Sequence, residues 1–162
     1  MDPSHIQKIT IKAAVITVST SRDESMDKSG AKIKSLFDDA GIPVIYYLVI
    51  PDDIETIRDE LRNALEITNC IIFSGGTGLT HDDCTTEAIL PLLDKVMDGF
   101  GELFRYLSYK EIGTRSLLSR AVGGIIDGKA VFCIPGSVGA ATLATEEIII
   151  PEIAHILTHA GK

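Results

Sequence analysis

Long apolar runs are missing from this sequence. The longest, such as Ile42 to Ile50, fall far short of the roughly 20 residues that span a bilayer, so no membrane partner is expected. An excess of basic charge is missing too. The formal net charge is −8, which argues against general nucleic-acid binding, since that needs a basic face. Paired cysteines are also missing. The three present are an odd number at scattered positions, and Cys70 and Cys133 sit inside apolar runs as reduced core thiols. That pattern suits a reducing compartment. The N-terminal segment Met1 to Lys8 is polar and lacks the apolar stretch of a secretory leader, so the expected location is cytoplasmic. No repeat or linker-like tract divides the chain, and 162 residues suit one domain, 1–162, with a single core. Acidity does not exclude an anionic small molecule, because a nest of backbone N–H groups or a divalent cation can hold phosphate on an acidic protein.

Strands alternate with helices along the chain. Lys12 to Ser19 reads as a buried strand, and a helix follows from Asp27 with Ile33, Leu36, Phe37 and Ala40 on one face, stopped by Gly41. Pro43 to Ile50 is a second strand. Asp52 with Glu55 suggests a capping box for a helix burying Ile54, Ile57, Leu61, Ala64 and Leu65. Cys70 to Phe73 is a third strand. Thr85 or Thr86 is the expected cap of a helix to about Leu93, kinked or ended at Pro91, and Gly99 to Arg120 is read as helical. Asp127-Gly128 signals a type I′ hairpin between 121–127 and 130–134. A helix runs from about Val138 to Ile150, and Pro151 opens a last short one. The expected fold class is α/β: a three-layer α/β/α sandwich with a mostly parallel sheet and one antiparallel hairpin element.

In such sheets ligands bind beyond the carboxyl ends of the strands. That rule gathers Thr20-Ser21-Arg22, Pro51-Asp52-Asp53, Gly75-Gly76-Thr77-Gly78 and Pro135-Gly136-Ser137 at one edge. The glycine loop lets backbone N–H groups converge on phosphate oxygens, although a tight turn without ligand explains the motif equally well on its own. It is neither a Walker A loop nor Gly-x-Gly-x-x-Gly. Asp82 and Asp83 could bind Mg²⁺ or position a reacting group, or could simply favour the next helix N-terminus. Arg22, Arg105 and Arg120 could grip phosphate but are more often ion-pair partners. Glu102, directly after Gly99-Phe100-Gly101, suggests a tight turn with an aimed side chain. Cys84 lacks an activating histidine by spacing, and His155 with His159 lacks a third metal ligand.

Ile72-Phe73-Ser74-Gly75-Gly76-Thr77-Gly78, four residues, Asp83, then Thr85 and Glu87 resembles the signature of the MogA/MoaB family of molybdenum-cofactor biosynthesis proteins, which is also similar to the G domain of gephyrin. Gly99-Phe100-Gly101-Glu102, Leu118-Ser119-Arg120-Ala121 and Pro135-Gly136-Ser137 match further family segments. The likeness runs from about Ala13 to Leu157, and the chain length looks more like the MoaB branch. The resemblance implies transfer of AMP from Mg·ATP to molybdopterin, with Asp52 and Asp83 as catalytic and Mg²⁺-binding residues. It implies a pterin and nucleotide site built from Ser21, Ser29, Gly30, Gly75, Gly76, Thr77, Gly78, Glu102, Pro135, Gly136 and Ser137. It also implies a homotrimer or homohexamer that passes its product to a molybdenum-insertion protein. Asp82 departs from the family, which often has a basic or neutral residue there. It adds either a metal contact or a charge that weakens turnover, so a non-catalytic pterin-binding protein is the alternative. A nucleotide pyrophosphatase of the same fold is a third reading.

Overall fold

Strands buried on both faces must be apolar at almost every position, and the runs at 13–18, 70–74 and 130–134 meet that requirement. The computed structural model describes residues 8–162; the segment Met1 to Gln7, most of the stretch read as lacking a leader, lies outside them. The sheet has the order β2-β1-β3-β6-β5-β4. Its strands are β1 (Ala13–Val18), β2 (Val44–Ile50), β3 (Cys70–Ser74), β4 (Lys95–Val96), β5 (Val122–Ile126) and β6 (Lys129–Ile134). β2, β1, β3 and β6 are mutually parallel, while β5 runs antiparallel to β6 and β4 antiparallel to β5.

Alternate strand residues feed two cores, as the period of two requires. Val15, Ile72 and Phe132 pack with α1 (Lys28–Asp39), α4 (Asp98–Ile112), α5 (Val138–Ala144) and α6 (Ile150–Ala160). Ile16, Phe73 and Val131 pack on the other face with α2 (Ile54–Ile67) and α3 (Thr85–Ile89). The expected three-layer sandwich is therefore present. Two local expectations hold in detail. Gly41, at φ 74°, ends α1 in a Schellman motif, with Ile42 N–H donating to Phe37 O and Gly41 N–H to Asp38 O, both at 2.9 Å. Asp127 and Gly128 take φ 49° and 75°, the type I′ turn.

Three expectations are corrected and a fourth is refined. Asp53, not Asp52, caps α2, accepting from Thr56 N–H at 2.9 Å. Neither Thr85 nor Thr86 caps α3; Cys84 holds the cap position without a side-chain bond, and the helix yields to a 3₁₀ turn at Leu90–Leu92. Gly99 to Glu102 forms the first turn of α4 rather than a tight turn, and α4 gives way at Gly113 to a 3₁₀ segment, Gly113–Leu118. Pro151 stands in the first turn of α6, as expected, but α6 is not set apart from α5. A π turn at Thr145–Ile149 joins α5 to α6, which accommodates the N–H that proline lacks. The edge strand β4 had no sequence signal.

Among the described residues no helix is long and apolar enough to cross a membrane. The cysteines are all free, and burial pushes the Cys70 thiol up to about 12.

Candidate active site

Four parallel strands deliver four segments to one edge, and the order 2-1-3 makes the gap between β1 and β3 the switch point of the sheet. A recess of about 370 Å³ opens there, lined by Thr17, Ser19 to Arg22, Asp52, Ser74 to Gly76, Asp82, Asp83 and Gly136. A second recess, of about 340 Å³, includes Gly76 to Gly78, Asp83, Phe104, Arg115, Ser116, Ser119 and Pro135 to Ser137. The two share Gly76, Asp83 and Gly136, so they are arms of one cleft. Each is large enough for part of a small-molecule ligand.

The loop between the arms has its carbonyls tied from behind. Gly75 O accepts from Thr85 Oγ1 at 2.8 Å and Gly76 O from Thr85 N–H at 3.0 Å. Thr77 O accepts from Arg120 N–H and Gly78 O from Arg120 Nε, both at 2.9 Å. No peptide bond among the described residues is cis, so each N–H of the loop points opposite to the carbonyl of its own peptide unit. The N–H groups of Gly76, Thr77, Gly78 and Leu79 therefore turn away from these anchors, and none has a partner among the described residues. Four successive free N–H groups are the kind of donor set that can receive an anion as a nest. Glycine is required on steric grounds: a Cβ on Gly75 (φ 109°) would meet Val18 O at 2.3 Å, and one on Gly76 (φ 71°) would meet Thr85 Oγ1 at 2.2 Å. Arg120 is itself fixed by a two-pronged ion pair with Glu87, which holds the Glu87 carboxyl below its usual range.

Asp52 and Asp83 each have one oxygen occupied and one left over. Asp52 Oδ2 accepts from Thr20 N–H at 3.2 Å and Thr20 Oγ1 at 2.8 Å. Its Oδ1 faces Gly76, 3.3 Å from where a Cβ would stand. Asp83 Oδ2 accepts from Thr80 N–H at 2.9 Å and Thr80 Oγ1 at 2.8 Å, and Oδ1 has no partner among the described residues. Carboxylate oxygens left free beside the glycine loop are of the hard kind that could hold Mg²⁺ carried with phosphates, an ion that takes one or two protein carboxylates and leaves the rest to ligand and water. No group of three metal-ligating side chains exists among the described residues, so Asp82, though it lines the arm, does not complete a preformed cage.

The cleft brings together Ser21, Asp52, Gly75, Gly76, Thr77, Gly78, Asp83, Pro135, Gly136 and Ser137. It does not include Ser29, Gly30 or Glu102. Glu102 is exposed on α4. Ser29 and Gly30 are buried around Asp27, which is 2% exposed and accepts from Thr17 Oγ1 (2.7 Å), Tyr47 OH (2.6 Å), Gly30 N–H (3.0 Å) and Ser29 Oγ (3.3 Å). Burial pushes the Asp27 carboxyl up, but the four donors outweigh it and hold it below its ordinary 3.8. A lowered folded-state value means that this group's stabilisation is present above the unfolded pKa and is lost as pH falls through the folded one. Asp27→Asn is accordingly expected to cost about 2 kcal/mol at pH 7 and to flatten the loss of stability below about pH 4; urea unfolding at pH 7 and pH 3 checks both.

Sequence reasoning missed Arg115 and Ser116, and it placed Thr20 at the edge without giving it a role. Arg115 lies in the 3₁₀ segment read as continuing helix, and Thr20 becomes meaningful only through its contact with Asp52. Of the arginines it named, Arg22 reaches across the cleft rim to Gly136 O at 3.4 Å, while Arg105 bonds Ala121 O at 2.9 Å and supports α4. Cys84 is a poor nucleophile, since burial and then the carboxylates of Asp52, Glu87, Asp53 and Asp83 raise its pKa. His155 and His159 stack edge-on at 4.7 Å beside an apolar recess at the opposite end of the sheet.

Comparison with known proteins was made on this geometry. Residues 14–155 match the family model described as "Probable molybdopterin binding domain". Molybdenum cofactor biosynthesis protein B of Staphylococcus aureus strain COL is 47% identical over 157 residues, covering 94% of each chain. A crystal structure of a molybdenum cofactor biosynthesis protein B superposes with a TM-score of 0.90 at 42% identity, over 94% of this chain and 97% of that one. The tungsten cofactor synthesizing protein MoaB from Pyrococcus furiosus gives 0.86 at 40% identity, over 94% and 98%.

Proposed function

The chain belongs to this molybdopterin-binding-domain family of molybdenum cofactor biosynthesis proteins, and we propose that it transfers AMP from Mg·ATP to the terminal phosphate of molybdopterin, giving adenylyl-molybdopterin and pyrophosphate. In that reaction a phosphate oxygen bonds to the α-phosphorus of ATP as the bond to the departing pyrophosphate breaks. The obstacle is one anion approaching another, so neutralising and aligning charge is the main task. The nest of free N–H groups from Gly76 to Leu79, flanked by Asp52 Oδ1 and Asp83 Oδ1, is the observation that carries this reading. The N–H groups hold phosphoryl oxygens without adding mobile charge. Asp52 and Asp83 would hold Mg²⁺, which when bound offsets the charge between phosphate groups. The attacking phosphate, with a second pKa of about 6, is mostly ionised near neutral pH and needs no strong base. Two arms meeting at Gly76 and Asp83 give two anionic substrates separate seats with one shared edge.

The same reading has the protein work in the cytoplasm as a homotrimer or homohexamer, with molybdate or tungstate added later on a molybdenum-insertion protein. A second reading, pterin binding without turnover, is favoured by Asp82, a third carboxylate in the arm of Asp52 and Asp83. Incubating the purified protein with Mg·ATP and molybdopterin decides between them. Adenylyl-molybdopterin formed supports the transferase; tight pterin binding with no product rejects it for the second reading.

A further inference from the structure

Ser74 ends β3 fully buried, yet its Oγ has no hydrogen-bond partner among the described residues. Its neighbour across the sheet makes the omission informative. Thr17 pairs with Ser74 in the parallel register of β1 and β3, and strand alternation puts both side chains on the α1 face with Val15 and Ile72. The Thr17 hydroxyl donates to Asp27 at 2.7 Å. The Ser74 hydroxyl is left over, although burying a hydroxyl unpaired is unfavourable and buried polar groups are nearly always satisfied. Ser74 lines the arm of the cleft that holds Asp52 and Asp83, and it immediately precedes the loop whose four N–H groups are also free. Thr145 Oγ1 is likewise buried without a partner but lines neither arm.

We propose that Ser74 is a ligand-binding residue whose hydroxyl donates to a phosphoryl oxygen of the anion seated on the Gly76–Leu79 nest. The proposal rests on reading that loop as an anion cradle. A hydroxyl kept for a ligand opposes the fold in its absence, so removing it should separate binding from stability. A hydroxyl that serves the fold would lose both together.

The test is titration calorimetry with pyrophosphate in Mg²⁺ on wild type, Ser74→Ala and Thr145→Val, with thermal melts of each. Ser74→Ala removes one atom and is expected to weaken pyrophosphate binding about tenfold while its Tm stays level or rises. Thr145→Val is expected to bind as wild type does. Unchanged affinity in Ser74→Ala, or a Tm lowered by several degrees, overturns the assignment of Ser74 alone. Failure of the wild type to bind pyrophosphate overturns the cradle and this proposal with it.

Discussion

Asp83→Asn is expected to lower the rate of adenylyl-molybdopterin formation at least about a hundredfold while leaving the fold and pterin binding nearly intact. The asymmetry of the carboxylate gives the reason. Asp83 Oδ2 is engaged by Thr80 N–H and Thr80 Oγ1, which fixes the turn before α3. An asparagine can keep its one carbonyl oxygen on those donors, so the turn survives and the amide NH₂ faces the cleft. What is lost is the negative oxygen at the place where Oδ1 stood, and with it the hold on a cation between phosphates. A group that acts on transition-state charge lowers kcat far more than it weakens ground-state binding. Single-turnover rates beside pterin affinity measure the split. A variant within tenfold of wild type would remove Asp83 from the mechanism.

The second large effect is on the loop. Gly75→Ala is expected to cost about 3 kcal/mol or more and to lower Tm by roughly 6–12 °C, with pyrophosphate binding lost. Two penalties combine: a φ of 109° that L side chains avoid, and a Cβ 2.3 Å from the Val18 carbonyl, which belongs to a central strand and cannot yield. Gly41→Ala isolates the first penalty. Gly41 also has positive φ, 74°, but nothing lies within 4 Å of its Cβ position, so its cost should be near 1 kcal/mol. Thermal melts of both variants make the comparison. Equal costs would mean that the loop shifts freely, contrary to the anchoring described.

Layering and site location were legible because both follow from periodicity. Apolar runs at 13–18, 70–74 and 130–134 require cover on both faces, and parallel strands require their carboxyl-end loops to meet. The failures lie where one residue's geometry decides. Asp52 and Asp53 are equally good caps by type; the backbone turn after Pro51 gives the cap to Asp53, and only that shift frees Asp52 for Thr20 and the cleft. Gly99 and Gly101 read as turn residues by propensity. Yet a Cβ on Gly101 would stand 2.7 Å from Ala121 O, so glycine there allows α4 to pack closely rather than bend. Ser29 and Gly30 share the family pattern with the cleft residues, but their chemistry is spent on Asp27. Two residues 42 apart, Gly78 and Arg120, make a contact that no local spacing could reveal.

That last contact sets the thermodynamics of whatever the nest receives. With the carbonyls of Gly75 to Gly78 already bonded to α3 and to the Arg120 segment, the flexibility of a glycine-rich stretch is surrendered when the chain folds and not when a ligand arrives. The anchors come from two separate elements, so neither can release the loop alone. Incoming phosphate thus meets a field of dipoles already aligned, and the entropy of binding is governed by the ligand and its displaced water rather than by the protein.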